Sequence, residues 1–264
     1  MGITYCSLAS GSSGNCHYIS CKGKRILVDA GLSGKRIQNR LAEIDVNPEE
    51  LTEIFVTHEH HDHICGVGVL SRRFDLPIYA NGKTWEAMGE KLGKIKTKNI
   101  RTFTTNQPVF LEDLKITPYP IPHDAAEPVG FSIENSGRKI SITTDLGYVS
   151  EDIIQQIKDS QLVVLESNHD VDMLKAGKYP YFLKRRILSD NGHLSNEVAG
   201  NTIVELVNNN VQNILLAHLS MENNFPELAM VTVKNILDSN KISMGKDIIV
   251  DLAHRDRVSN LYAF

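Results

Sequence analysis

A single seven-residue segment, 57–63, constrains this chain more than any other part of its sequence. It reads THEHHDH, so four of its residues are histidines and two carry carboxylates. The segment follows a short apolar run at 53–56 that is typical of a β-strand. Neutral imidazole and carboxylate groups are preferred ligands of divalent metals such as zinc. The sequence therefore predicts a metal-binding loop at the end of a strand.

The spacing of these side chains suits two metal ions. A strand that ends in a tight loop can direct side chains at positions i, i+2, i+4 and i+5 towards one centre. On this basis His58 and His60 are assigned to one ion, and Asp62 and His63 to the other. The alternative is a solvated polar loop that is rich in histidine by chance.

Composition bounds the class of protein. The chain has 264 residues, enough for one large domain that needs no disulfide to stabilise its core. A net charge of −4 and a pI of about 6.2 argue against a broad basic surface that holds nucleic acid. A local phosphate-binding site is compatible with this charge. The four cysteines contain no Cys-x-x-Cys pair, so a cysteine-only zinc site is not expected.

Two further features bear on where the protein works. The first residues have neither the basic start nor the apolar core of a signal peptide. The sequence also lacks an apolar run of about 18 residues that would span a membrane. We therefore expect a cytoplasmic protein with reduced thiols and no membrane partner.

Apolar and alternating runs predict an α/β protein with two batches of strands. Strands are predicted at 3–8, 16–21, 24–28, 54–56, 77–80, 99–103, 108–111, 114–119, 129–134, 138–143, 161–166, 213–217 and 247–251. Helices are predicted at 33–44, 64–74, 150–158, 179–188, 195–209 and 226–237. No linker or repeat interrupts them, so we predict one domain over residues 1–264. This order favours two sheets packed face to face, with helices outside.

Further candidate metal ligands follow the predicted strands. His123 lies in a proline-stiffened loop, whereas Asp145 and His218 each come just after an apolar strand. In open α/β sheets, ligands collect at the carboxyl ends of the strands. Each of these residues alone is compatible with an ordinary hydrogen-bonded role, but together with segment 57–63 they favour a metal site.

These motifs resemble those of the metallo-β-lactamase superfamily over nearly the whole chain. The resemblance implies a four-layer αββα sandwich with two divalent metal ions per chain. Zinc is the expected metal, and manganese or iron are the alternatives. The implied ligands are His58, His60 and His123 for one ion, Asp62, His63 and His218 for the other, and Asp145 for both. Asp29 would support the histidine loop from behind the ligands, whereas His61 and Glu59 would not be ligands.

Two more motifs resemble the phosphodiesterase branch of this superfamily, which includes the transfer-RNA 3′-end endonucleases and the β-CASP nucleases. GHLSNE at 192–197 opens a predicted helix, and the resemblance places His193 beside the scissile phosphate, oriented by Glu166. SGSSGN at 10–15 follows the first strand and offers backbone N–H groups to an anion, unless it is only a flexible turn. The expected substrate-binding residues are Ser10, Gly11, Ser12, Ser13, Gly14, Asn15 and Ser195.

Two departures narrow the function that the resemblance implies. Only 27 positions separate Glu166 from His193, which leaves no room for an inserted β-CASP domain. The long arm with which transfer-RNA enzymes grip their substrate is also missing. The chain is similar to the small YycJ/WalJ group, which implies 5′-to-3′ exonuclease activity, with DNA favoured over RNA as the nucleic-acid partner. An RNA-processing nuclease, a thioester or small-molecule hydrolase, and an inert metal-binding module are the alternatives.

The expected catalytic residues are Asp62, His193 and Glu166. Asp62 would orient the attacking water and accept a proton. His193, steered by Glu166, would protonate or stabilise the departing oxygen. A basic helix face would line a groove for the nucleic-acid backbone, or would simply be solvated. That face consists of Lys178, Lys184, Arg185 and Arg186.

Overall fold

The strands form two mixed seven-stranded sheets in the computed structural model, which describes residues 2–264. The first sheet contains β1 (Thr4–Ala9), β2 (Cys16–Cys21), β3 (Lys24–Val28), β4 (Glu53–Phe55), β5 (Ile78–Ala80), β6 (Ile100–Thr102) and β14 (Tyr262–Ala263). The second contains β7 (Val109–Leu111), β8 (Leu114–Pro120), β9 (Val129–Asn135), β10 (Arg138–Thr143), β11 (Leu162–Glu166), β12 (Asn213–Ala217) and β13 (Ile249–Leu252).

Each sheet has an antiparallel half and a parallel half. The first runs in the order β14-β1-β2-β3-β4-β5-β6, and its pairs are antiparallel as far as β3 and parallel from β3 to β6. The second runs β13-β12-β11-β10-β9-β8-β7, with parallel pairs from β13 to β10 and antiparallel pairs beyond. Parallel strands share one carboxyl edge, so the loops after them gather there.

Helices cover the outer face of each sheet. The helices found within residues 2–264 are α1 (Gly34–Ala42), α2 (His61–Ile64), α3 (Val67–Phe74), α4 (Gly82–Leu92), α5 (Glu151–Ile157), α6 (Val171–Ala176), α7 (Tyr181–Ile187), α8 (Asn196–Asn208) and α9 (Pro226–Ser239). Apolar residues of α1, α3 and α4 pack on the first sheet, and those of α5, α8 and α9 pack on the second. The predicted four-layer αββα architecture is therefore confirmed.

The central layer of the sandwich is apolar and closely packed. Phe55 of the first sheet meets Phe131 of the second edge to face, with ring centroids 5.7 Å apart. The ring of Phe55 also stacks on Tyr79 at 4.6 Å. Offset and edge-to-face arrangements are the favoured geometries of aromatic pairs. This layer fixes the two sheets against each other and thereby positions the loops at their carboxyl edges.

Most predicted elements are present, with shifts of one or two residues at their ends, but four differences stand out. The helix expected at 64–74 is interrupted after Ile64, because the Gly66 N–H donates to the Ala30 carbonyl at 2.7 Å instead of to a carbonyl of its own helix. Helix α4 was not predicted, since its glycines weaken the helical pattern despite an Asn81 cap that accepts from Thr84 N. Helix α6 and strand β14 are short and were also missed.

Among the described helices, none combines the length and the hydropathy that crossing a membrane requires. The single-domain organisation over residues 1–264 stays a prediction. The cytoplasmic location also stays a prediction.

Truncating a core side chain should destabilise the sandwich strongly. Leu215 is fully buried between the sheets, so Leu215→Ala should lower the free energy of unfolding by about 2–5 kcal/mol. Leu261 is 54% exposed, and the matched variant Leu261→Ala should cost less than about 1 kcal/mol. Denaturant unfolding of both variants measures these changes. Equal losses of unfolding free energy would contradict the placement of Leu215 in the core between the sheets.

Candidate metal centre

Three residues at which the chain turns sharply after a strand lie at the base of the site. Asp29 follows β3, Asp145 follows β10 and His218 follows β12, and their φ angles are 60°, 61° and 56°. Positive φ is unfavourable for residues with a Cβ and is retained chiefly where the surroundings enforce it, often at functional sites. The three side chains consequently lie at the carboxyl edges of the two sheets.

The loop between β4 and α2 supplies a first group of potential metal ligands. His58 Nε2 lies 3.1 Å from His60 Nδ1, and the ring of His123 lies 5.1 Å from both rings. The ligand atoms of these three histidines all lie within 4.8 Å of one another. The structure thus brings together the three residues that were assigned to one ion.

A second group lies beside the first. Asp62 Oδ2 is 3.6 Å from both His63 Nε2 and His218 Nε2, and the three form a compact potential ligand set. Asp145 belongs both to a set with His58 and His63 and to one that includes His218. Its carboxylate therefore lies between the two groups, as the bridging assignment requires.

The second ring nitrogen of four of these histidines is occupied by a protein acceptor. The pairs are His58 Nδ1 with Thr57 Oγ1 at 3.0 Å, His63 Nδ1 with Asp29 Oδ2 at 2.7 Å, His123 Nδ1 with the Gly192 carbonyl at 3.2 Å, and His218 Nδ1 with Glu166 Oε1 at 2.7 Å. Each Nδ1–H therefore donates to the protein, and each Nε2 is directed towards the space that the potential ligands share. Metal-binding histidines are typically oriented in this way.

Several predicted ligand atoms make no hydrogen bond within residues 2–264. They are the buried atoms His123 Nε2, His218 Nε2 and Asp145 Oδ2, which lie 3.4 Å from Asp124, 3.6 Å from Asp62 and 3.2 Å from His63 without hydrogen-bond geometry. An unpaired buried polar atom is costly, so three of them around one space indicate that a further group belongs there. Nitrogen and oxygen donors without thiolate suit zinc, manganese or iron. The residues at this edge therefore fit divalent metal ions.

The charges of the site lead to the same conclusion. Burial alone would lower the pKa of His218, but the carboxylates of Asp145, Asp62 and Glu166 raise it to about 10. Burial likewise opposes the charged form of His63, yet Asp145, Asp29 and Asp62 hold its pKa well above 6.5. The carboxylates thus create a strong local demand for positive charge, which a divalent cation would meet.

Asp29 lies behind the histidine loop, the place that the family resemblance implied for it. Its Oδ1 accepts a hydrogen bond from Thr57 N at 2.9 Å, and its Oδ2 accepts from Thr57 Oγ1 at 2.8 Å. Because the Thr57 hydroxyl proton is directed at Asp29, Thr57 Oγ1 is left to accept from His58. One buried carboxylate therefore orients His63 directly and His58 through Thr57.

Glu166 holds two histidines at once. Its Oε1 lies 2.8 Å from His193 Nδ1 and 2.7 Å from His218 Nδ1. Its Oε2 accepts from the backbone N–H groups of Leu146 and Leu194. Burial would raise the pKa of this carboxyl, but His193 and His218 lower it to about 2. The sequence predicted the pairing with His193 and missed the pairing with His218.

The Ser10–Asn15 loop divides into buried and exposed parts. Asn15 Nδ2 lies 3.1 Å from His63 Nε2 and 3.4 Å from Asp62 Oδ2, and Asn15 Oδ1 accepts from Gly11 N. Ser10 Oγ accepts from the backbone N–H of His218 at 2.8 Å. These two residues therefore hold metal ligands in place, a role that the sequence did not indicate.

The remaining residues proposed to bind substrate differ in their surroundings. Ser12 and Ser13 are exposed, and Ser12 lines the cavity over the ligands. Gly11 and Gly14 have φ angles of 145° and 149°, and a Cβ at Gly14 would lie 2.9 Å from the Gly31 carbonyl oxygen. Ser195 caps α8 by accepting from Val198 N. Substrate binding by these residues stays a prediction.

Comparison with known proteins identifies the family. Residues 24–218 match the family described as "Beta-lactamase superfamily domain". The chain belongs to the metallo-β-lactamase superfamily. It is 43% identical to Exodeoxyribonuclease YycJ of Bacillus anthracis over 246 residues, covering 93% of each chain. It is 42% identical to Exodeoxyribonuclease WalJ of Streptococcus pneumoniae over 252 residues, covering 95% of this chain and 94% of that one.

The solved structures support the fold. The metallo-β-lactamase fold protein YhfI of Bacillus subtilis superposes with a TM-score of 0.73 at 19% identity, over 98% of this chain and 99% of that one. Membership of the superfamily, together with the His and Asp clusters, makes the edge a divalent-metal site. The number and identity of the ions, and the ligand assigned to each, stay predictions.

Elemental analysis tests the assignment of ligands. Metal-replete protein should contain about two divalent ions per chain. Asp145→Ala should lose at least one of them, because it removes the carboxylate between the two groups. His61 lies in none of the ligand sets found in the described part of the chain, so His61→Ala should keep both ions. Full loading of Asp145→Ala would contradict the bridging role.

Proposed function

We propose that the chain is a metal-dependent exodeoxyribonuclease that hydrolyses DNA in the 5′-to-3′ direction. The observation that carries this proposal is its 42–43% identity, over 93–95% of its length, to two proteins named exodeoxyribonuclease. The site described above supports it, because a phosphodiester needs positive charge at its oxygens and a donor at the departing oxygen. We propose DNA rather than RNA as the substrate only because both relatives are named exodeoxyribonucleases.

The metal site is proposed to hold two ions on the two ligand groups that share Asp145, with zinc as the expected metal. When bound, such ions supply positive charge to the phosphate and make water a better nucleophile at neutral pH. The protein must then place that water and move its proton. Asp62 is the partly exposed carboxylate at the cavity, so its second oxygen is available to orient the water and accept the proton.

His193 completes the proposed machinery. It lines the cavity together with the ligands, and its Nδ1 is held by Glu166. Because Glu166 stays ionised at neutral pH, it accepts a hydrogen bond from Nδ1–H and leaves Nε2 to interact with the substrate. We assign to Nε2–H of the protonated imidazolium form the donation of a hydrogen bond or a proton to the departing oxygen, which returns His193 to neutral imidazole.

A time course on labelled nucleic acids tests the proposed activity. Metal-replete protein is incubated with single-stranded DNA, duplex DNA and RNA of one sequence, each labelled in turn at the 5′ and 3′ ends. Stepwise loss of DNA from the 5′ end is expected, and Asp62→Ala should retain less than about a tenth of the rate. If only RNA is degraded, the substrate is RNA and the proposal of DNA is wrong. Cleavage of acyl-glutathione analogues without cleavage of any nucleic acid would overturn the nuclease assignment.

A second prediction separates His193 from the metal ligands. His193→Ala should lower the rate of DNA hydrolysis by about 10²- to 10⁴-fold, as removal of a general acid does. Its metal content should stay unchanged, since the proposed ligands remain. His254→Ala serves as the matched control, because His254 lies outside the ligand sets and the cavity above them. A His193→Ala variant with nearly full activity would exclude His193 from the mechanism.

A further inference from the structure

Two adjacent aromatic side chains, on a helix that also lines the cavity beside His193, are left in solvent. Tyr181 and Phe182 open α7 and are 75% and 74% exposed, more than any other large apolar side chain in residues 2–264. Large apolar side chains in such a position commonly mark an interaction surface when other features agree. Packing in the core does not explain Tyr181 and Phe182, because their side chains are mostly outside it.

Helix α7 is directly connected to the proposed machinery. Leu183, Arg186 and Ile187, on one side of the helix, line a cavity with His193. The backbone N–H of His193 donates to the Ile187 carbonyl at 3.0 Å. A second, adjoining cavity contains the metal ligands and shares Ser12, Arg186 and His193 with the first. The two exposed rings therefore belong to the first turn of a helix whose later residues form one wall of the site.

The helix is firmly held despite its exposed face. Lys184 Nζ donates to the carbonyl oxygens of Lys175 and Gly177, both at 2.7 Å, and so fastens α7 to the end of α6. Arg186 Nε donates to the Asp124 carboxylate, beside the predicted ligand His123. Lys184 is thus committed to the protein and is not free to bind a nucleic-acid backbone.

Positive charge accompanies the two rings. The guanidinium of Arg185 lies 6.0 Å from the centroid of the Tyr181 ring, and Arg185 is exposed. Phe182 lies one helical turn before Arg186, which places it about 6 Å along the helix from the cavity wall. Exposed aromatic rings interleaved with basic side chains are the usual means of binding single-stranded nucleic acid.

We propose that Tyr181 and Phe182 form an aromatic platform on which bases of single-stranded DNA stack beside the cleavage site. Arg185 supplies positive charge to the neighbouring phosphates. A single strand is the fitting occupant, because its bases present free faces that a duplex keeps stacked within itself. This inference rests on the proposed nuclease function and adds the form of the substrate and two residues that position it.

Steady-state kinetics on single-stranded DNA test the platform. Tyr181→Ala and Phe182→Ala should each raise KM by roughly tenfold, because replacing a stacked aromatic ring by alanine typically weakens binding by that order. Phe182→Trp should restore the wild-type KM, whereas Phe182→Leu should not, since only the first keeps an aromatic face. Phe110, which is 64% exposed on β7, provides the matched control, and Phe110→Ala should leave KM unchanged.

A small phosphodiester separates binding of the strand from the chemistry. All platform variants should hydrolyse bis(4-nitrophenyl) phosphate at the wild-type rate, because this substrate does not need the platform. Replacing one nucleotide near the cleaved bond by an abasic residue should weaken binding to the wild type. The same replacement should have a much smaller effect on Phe182→Ala, since the stacking partner is already missing.

Four outcomes would overturn the platform. The first is a KM within twofold of the wild-type value for both alanine variants. If the wild type still degrades DNA, this outcome excludes the platform but not the proposed nuclease function. A second is an equal effect of Phe110→Ala. A third is a wild-type dimer that becomes monomeric in the alanine variants by sedimentation velocity, because the face is then an interface between two copies. Absence of any nucleic-acid hydrolysis by the wild type would remove both this inference and the proposed function.

Discussion

The structure of the site depends on the need to neutralise carboxylates that the fold has buried. Asp29, Asp145 and Glu166 are almost completely shielded from water, and a buried charge is tolerated only when it is paired. Asp29 and Glu166 are paired with imidazole N–H groups, and this pairing directs the opposite nitrogens of His63 and His218 towards a common space. Asp145 has one oxygen without a hydrogen bond, directed into the same space. Asp29 and Glu166 thus orient the histidines, whereas the unpaired oxygen of Asp145 favours binding of a cation.

The sandwich makes this arrangement possible because its two sheets place their parallel strands at the same edge. Strands β3 and β4 deliver Asp29 and the histidine loop from the first sheet, and β10, β11 and β12 deliver Asp145, Glu166 and His218 from the second. Positive φ angles at three of these positions turn the chain where the strands leave the sheets, and apolar layers cover both faces of each sheet. The core therefore holds in place the strand ends that bring these polar side chains together.

The sequence allowed much of the site to be predicted, and the physical reason differs from residue to residue. The ligands in segment 57–63 are close in sequence, so their pattern alone indicated a metal. The pairing of Glu166 with His218 depends on strand register, because Glu166 lies directly opposite Ala217 on the neighbouring parallel strand. Asn15 was interpreted as part of a substrate loop, but its backbone N–H donates to the Asp62 carbonyl at 2.8 Å, an interaction made across the fold. Tyr181 and Phe182 lay within the predicted helix 179–188 and received no role, since a pattern does not reveal which apolar residues stay exposed.

The charge of the chain limits how a nucleic acid can be held. With a net charge of −4, the chain as a whole does not attract a phosphate backbone, and at physiological ionic strength charges act over only about 8 Å. Attraction must therefore come from short-range interactions near the site, where the metal ions and Arg185 supply positive charge. Stacking on Tyr181 and Phe182 adds affinity that does not depend on charge and that is much less sensitive to salt than phosphate binding is. A binding surface confined to the cavity and one short helix reaches few nucleotides, which suits an enzyme that works at the end of a strand rather than along a duplex.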